Sequence, residues 1–271
     1  MVRDITLGQY VPGRSILHSI DPRAKILCIF TLIILIFCTF NYLSLGLMVF
    51  ATICFVLISG VKFKIYIKSL KAVILIIIFT SFLNLFYGSG EAIFKFGFIT
   101  ITAQGISNSI FMSLRIISLI LMSSVLTFTT TPNDITDALE RIMKPLKLLK
   151  INVSEVAMMI TIALRFIPTL LEETDKIMSA QKSRGADLES GGLTKRIKAL
   201  APIIIPLFVS SFKRAYDLAM AMECRCYKGS IGRTRMKILK LSKSDFIFIC
   251  FIALICLGVI VCNIKFPQIK I

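Results

Sequence analysis

Tryptophan is absent from this 271-residue chain, and histidine occurs once, at His18. Acidic residues are scarce: 15 stand against 32 basic ones, a formal charge of +17. No G-x-x-x-x-G-K-[ST] occurs, so there is no P-loop to hold a nucleotide. Neither H-E-x-x-H nor G-x-S-x-G occurs, which removes the zinc-peptidase and serine-hydrolase signatures. With one histidine, metal sites lack ligands. Cys224 and Cys226 form the one close cysteine pair outside the apolar runs, and zinc takes four ligands, or three and a water. No metal and no cofactor is expected. Interleaved surface aromatics and a nucleic-acid-binding motif are missing too, so the positive charge does not point to nucleic acid. Missing tryptophan with abundant Ile, Lys and Phe looks like codon bias of an AT-rich bacterial genome and carries no mechanism.

What is present is apolar sequence. Hydrophobic residues make up 56% of the chain and the mean hydropathy is +0.84, well beyond a soluble domain of this size. A spanning helix needs about 20 mostly apolar residues. Five stretches qualify: 26–42, 43–60, 72–87, 106–128 and 245–263. The very short link at 41–43 makes the first two a tight antiparallel pair. Cys28, Cys38, Cys54, Cys250, Cys256 and Cys262 fall inside these runs and read as small buried hydrophobes. No cleavable signal peptide is expected at the N-terminus.

Basic residues set the orientation. Arg3, Arg14, Arg23 and Lys25 precede the first span. Lys62, Lys64, Lys68 and Lys71 join the second and third, and twenty more lie between Arg141 and Lys243. Five spans put all of these on one side, leaving Lys95, Lys265 and Lys270 on the other. The N-terminus is therefore expected inside and the C-terminus outside. The resulting divisions are 1–129 (N-terminal segment and spans 1–4), 130–244 (a cytoplasmic helical region) and 245–271 (last span and outer tail).

Within 130–244, the run 199–212 is too short to span and holds Pro202 and Pro206. The run 155–171 carries Arg165 near its middle, which costs about 2.5–3.5 kcal/mol at a bilayer centre. The run 199–212 reads as partly buried or interfacial, and neither run is counted as a span. A first helix follows Pro132, with Asn133 or Asp134 as its cap. A second runs from near Ser154 to Arg184, bent at Pro168. It carries an apolar stripe of Val156, Met159, Ile160, Ala163, Ile167, Leu170 and Ile177. A third runs from about Thr194 to Arg225, with Phe208, Phe212, Ala215, Ala219 and Met222 on one stripe. The stripes are expected to pack together, and Glu172, Glu173 and Asp175 to form a solvated face.

Both long helices finish on an arginine between small residues: Arg184 between Ser183 and Gly185, Arg225 between Cys224 and Cys226. Arginine at a helix C-terminus suits the macrodipole by about 0.3–1 kcal/mol, which alone accounts for its presence. The small neighbours also leave each guanidinium free to enter a partner's groove. Arg115, inside the fourth span, is either a functional residue or a structural one paired across helices. Asp21, Pro22, Arg23 and Lys25 read as a structural motif: Asp21 as an N-cap, Pro22 at the first helical position, and an ion pair to Arg23 or Lys25. His18 reads as a loop residue. No ion filter or chain of intramembrane acids is present, which argues against a stand-alone transporter.

These segments resemble a known family. GQYVPGRSILHSIDPRAKIL at 8–27, SRGAD at 183–187 and AMECRCYKG at 221–229, in that order, resemble the transmembrane T component of energy-coupling factor (ECF) transporters, related to the Q subunit of cobalt and nickel importers. The resemblance covers essentially the whole chain. Two positions depart from the usual alanine before arginine, Ser183 and Cys224; both remain small. The resemblance implies an all-α membrane protein of about five spans with two long crossed coupling helices. It implies that Arg184 and Arg225 each dock on one of two ABC-type ATPases, and that the apolar stripes support one or more substrate-binding S components in the bilayer. The chain itself would be non-catalytic. Two alternatives stay open: a T component dedicated to one cobalt, nickel or biotin S component, and a basic membrane scaffold for a non-ABC partner.

Overall fold

The computed structural model describes residues 10–86, 92–96, 99–149, 152–186, 192–229 and 242–266, with backbone alone for 92–96, 99–101, 146, 147, 149 and 193–199. Arg3, Gly8, Gln9, Asp187 and Lys270, singled out above, lie outside the described residues. The chain divides into two compact units, one of Gly8–Ala138 with Leu239–Ile271 and one centred on Leu139–Ile238.

The first unit is built from α1 (Ile16–Ser19), α2 (Pro22–Phe37), α3 (Tyr42–Ile58), α4 (Phe63–Phe86), α5 (Ala103–Thr129) and α9 (Lys243–Lys265). A short antiparallel ribbon, β1 (Ala92–Phe96) with β2 (Ile99–Thr102), lies between α4 and α5 and adds to the helical architecture expected from the sequence. The core gathers Ile29, Leu32 and Ile36 of α2, Met48, Ala51 and Phe55 of α3, Met122, Val125 and Phe128 of α5, and Ile252, Ile255 and Val259 of α9. Helices α5 and α9 each pack on both α2 and α3, whereas α2 and α3 touch little directly. The tight pair expected from their short link is thus replaced by two intervening helices. Both helices are apolar on every side, so no stripe in the sequence chose a packing face.

Helix α4 starts at Phe63, nine residues before the apolar run, so Lys64, Lys68 and Lys71 are helical rather than part of a loop. Lysine is a good helix former, and Gly60 at φ +67 has already closed α3. At the other end, a Cβ on Gly105 would lie 2.5 Å from the Leu85 carbonyl oxygen. Glycine there lets the α4 and α5 backbones approach closely, as small residues do between membrane helices. Hydrogen bonds between Ser81 and Ser109 hold the same pair.

Among the described residues four helices are long and apolar enough to cross a membrane: α4, α5, α9 and α7 (Val153–Ser183). Helices α2 and α3 have 16 and 17 residues. The cysteines of the apolar runs are not buried as expected: Cys38 and Cys250 are exposed and the other four half-buried. On a membrane helix an apolar position can face lipid as readily as core, so hydrophobicity alone did not place them.

The second unit holds a 3-10 turn (Lys144–Leu149), α7 and α8 (Leu193–Cys224), while α6 (Pro132–Ile142) bridges the boundary in sequence. The N-cap of α6 is Thr131, not Asn133 or Asp134. Its Oγ1 accepts from the Asp134 amide at 3.2 Å and donates to the Asp134 carboxylate at 2.7 Å. Pro132 thereby takes the first helical position, where a missing N–H costs nothing. Helices α7 and α8 run for 31 and 32 residues, continuing through Pro168 and through Pro202 and Pro206.

Candidate functional site

The second unit is a helix pair with two matched ends. In α7 the C-cap is Arg184; the Gly185 amide donates to the Lys182 carbonyl at 3.0 Å and the Ala186 amide to the Gln181 carbonyl at 3.0 Å. In α8 the C-cap is Arg225; the Cys226 amide donates to Glu223 at 2.8 Å and the Tyr227 amide to Met222 at 3.0 Å. Both are Schellman closures, which satisfy the last carbonyls of a helix by turning one residue left-handed. Each arginine holds the same place in the same motif, and Ser183, Arg184, Gly185, Cys224, Arg225 and Cys226 are all exposed. The left-handed residue is glycine in α7 (Gly185, φ +83) but cysteine in α8 (Cys226, φ +56). A Cβ in that region costs about 1–2 kcal/mol, so the second tip carries strain that the first avoids.

Side chains join the helices at two levels. Glu173 accepts from the Ser210 hydroxyl and from Arg214 Nη2, the latter an ion pair at 2.6 Å. Farther along, the Tyr227 hydroxyl donates to Met158 Sδ at 3.3 Å. As α7 numbers rise from 158 to 173, α8 numbers fall from 227 to 214, so the helices run in opposite directions. Arg184 lies eleven residues beyond Glu173, and Arg225 eleven beyond Arg214. At 1.5 Å per residue each tip stands about 16 Å from the ion pair, and the tips lie up to about 33 Å apart along the pair.

The expected stripe-on-stripe packing occurs only in part: Ile167, Leu170, Ile177 and Met222 are half-buried. Val156, Met159, Ile160, Phe208 and Phe212 are exposed, Phe208 and Phe212 at 61% and 62%, with their rings 4.7 Å apart. The positions withdrawn from solvent on α8 are 203, 207, 210, 211, 214, 218 and 222. That face is mixed, with Ile203, Leu207, Leu218 and Met222 beside Ser210, Ser211 and Arg214, and it leaves Phe208 and Phe212 outward. Glu173, read as part of a solvated face, instead braces the pair; nothing in its spacing named Ser210 or Arg214 as partners.

In the first unit the Asp21–Lys25 motif lies at a buried polar junction. Asp21 caps α2, accepting from the Arg23 amide at 2.9 Å, and pairs with the Arg23 guanidinium at 2.7 Å, with Pro22 at the helix start. Lys25 takes no ion pair there. Its Nζ donates to the Thr129 carbonyl at 3.1 Å and to Thr130 Oγ1 at 3.2 Å. His18 sits in α1 rather than in a loop; its ring bonds Ser15 Oγ at 2.7 Å and the Val11 carbonyl at 3.0 Å. Arg115 reaches across from α5: its Nη2 donates to the Thr39 carbonyl just past α2, and its guanidinium lies 4.8 Å from the Phe111 ring centre. That geometry is a pairing across helices. Among the described residues no cluster of three or more His, Cys, Asp or Glu could hold a metal.

Comparison with known proteins agrees along most of the chain. Residues 13–238 match the CbiQ family model, described as cobalt transport protein. The energy-coupling factor transporter transmembrane protein EcfT of Ruminiclostridium cellulolyticum is 50% identical over 245 residues, covering 90% of this chain and 92% of the relative. The protein of the same name from Clostridium kluyveri is 47% identical over 263 residues, covering 96% and 97%, and that of Bacillus subtilis 46% over 246, covering 90% and 93%. The chain is a multi-pass membrane protein built mainly of helices, and it belongs to the CbiQ/EcfT family of ECF transporter transmembrane components.

Proposed function

We propose that this chain is the coupling subunit of an ECF-type importer: it passes ATP-driven motion from two ABC-type ATPases to a membrane-embedded S component that binds a vitamin or metal ion. The observation that carries this is the pair of exposed arginines in identical Schellman closures, up to about 33 Å apart along an antiparallel helix pair. One small ligand cannot bridge that span; two separate sockets can. Arg184 enters one ATPase and Arg225 the other. The guanidinium's planar fork suits carboxylates or helix-end carbonyls in such a socket. The outward stripes around Met159, Ile160, Phe208 and Phe212 supply an apolar surface for the S component. The chain has no catalytic role; ATP is hydrolysed by its partners. In this reading α2–α5 and α9 span the bilayer, the N-terminus and residues 130–244 are cytoplasmic, and the C-terminus is outside. Arg165 and the charges around Glu173 keep α7 out of the hydrocarbon.

The test has two parts. Purification in mild detergent followed by mass spectrometry is expected to return two ABC ATPases with several small membrane proteins. One constant membrane partner would instead identify an importer dedicated to a single substrate, such as cobalt, nickel or biotin. No ATPase in an otherwise intact complex would leave a scaffold for a non-ABC partner. The double variant Arg184→Glu/Arg225→Glu is then expected to insert normally and to lose uptake; wild-type uptake with the complex intact would overturn the docking roles.

A further inference from the structure

The polar junction around the Asp21–Lys25 motif touches two places far apart in sequence. Lys25 Nζ holds Thr129 and Thr130, the last residues before the chain leaves α5 for the 130–244 region. The Asp21 backbone amide donates to Asp245 Oδ1 at 2.8 Å, where the chain returns into α9. Asp245 uses its other oxygen on the Ser242 amide at 2.6 Å, closing a capping box on α9. Asp21, Lys25, Thr129, Thr130 and Asp245 are all more than nine-tenths buried. The Val11 amide adds a bond to the Phe128 carbonyl at 3.0 Å.

We propose that Asp21 and Lys25 are positioning residues that staple the outgoing and returning ends of the 130–244 region to each other. Surface anchoring does not require this arrangement: a motif that only fixed α2 at an interface would turn its polar groups to lipid or water, whereas this one buries the Lys25 side chain against the end of α5 and turns the Asp21 backbone amide to the buried Asp245 carboxylate of α9. Buried polar groups in such a place are costly unless every bond is made, so the junction closes as a whole or opens as a whole. Fixing both ends at one point prevents the long region from swinging on either connection alone. Motion delivered to it must then pass into α2, α5 and α9 together. That last consequence rests on the coupling function proposed above; the staple itself does not.

The experiment is hydrogen–deuterium exchange on the full-length chain, purified with its co-purifying partners, read at amides 129–136 and 242–247. Lys25→Met keeps the side-chain length and removes the cation; it touches only the outgoing end. Asp245→Asn removes the charge at the returning end. Each substitution is expected to speed exchange at the distant segment as well as its own, by at least about tenfold. Thr130→Val, which removes one acceptor without changing shape, is expected to do the same more weakly and serves where Lys25→Met does not insert. Acceleration confined to the segment that the altered residue touches, or none, overturns the staple. Because exchange needs neither ATPase nor substrate, this outcome is independent of whether the importer reading stands. If both stand, Thr130→Val also lowers uptake per ATP hydrolysed while the ATPases remain bound.

Discussion

The two units differ in how much they bury. In the first, seventeen apolar residues form a core and polar groups close each helix junction inside it. In the second, the buried apolar residues among those described are Val153, Ala157 and Ile203, the large aromatics of α8 face outward, and the inward bridge is Glu173 with Ser210 and Arg214. The first unit has a packed core of its own, with further large apolar residues such as Phe30, Leu75 and Leu254 exposed on its outer faces. The second is a frame whose apolar faces await covering. An ion pair this exposed to solvent is screened and contributes little to stability, far too little to be what holds two 30-residue helices together. Its contribution is register: it decides which residue of α7 stands opposite which of α8.

That contrast can be broken from either side. The largest expected effect comes from Glu173→Arg, which sets two cations face to face. Uptake is expected to fall about tenfold or more with insertion unchanged, and Glu173→Arg/Arg214→Glu is expected to restore most of it, since the swap rebuilds the register. No rescue by the swap would show that the pair's identity, not its alignment, matters. Next is Phe208→Gln/Phe212→Gln. If the exposed stripe is a docking face, small membrane partners are lost from the purified complex while its melting temperature in detergent stays within a degree or two; a large drop in melting would mean that these rings stabilise the chain itself. In the first unit, Gly105→Ala forces the Leu85 carbonyl away and is expected to cost about 1–3 kcal/mol in stability, measured as a lower melting temperature.

The smallest effects sharpen a comparison within the second unit, between its two tips. Gly185→Ala places a Cβ at φ +83 and is expected to fray the end of α7 by about 1 kcal/mol. Cys226→Gly removes the same penalty and is expected to firm the end of α8 by a similar amount. Local amide exchange at 181–186 and 222–227 would read both, in opposite directions.

How much of this was visible beforehand follows from the range of each interaction. The ends of α7 and α8 were legible within a residue or two because glycine, small residues and arginine signal a stop locally. The capping of α2 by Asp21 was legible for the same reason. The Thr131 cap of α6 stands in T-P-N-D, where Asn133 and Asp134 are equally good cap residues by type and only the hydrogen bonds single out Thr131. Asp245 as partner of Asp21 was not legible, because 224 residues separate them and neither carries a mark of the other. The outward turn of the stripes was hidden for a different reason. In a protein that meets lipid and other subunits, an apolar stripe states that something covers it, not that its own chain does. The same ambiguity misplaced the cysteines of the spans and the pairing of α2 with α3.

The equal count of eleven residues on either side of the Glu173–Arg214 pair has a mechanical meaning. The helices are joined at that pair and again at Tyr227–Met158, two residues past Arg225, so the arms are equal in length, about 16 Å each, but unequally tied. On the docking roles proposed above, the two sockets then stand at equal distances from the central bridge. A deletion or insertion of a single turn between residue 173 and residue 184, leaving both tips intact, would make those distances differ by about 5 Å.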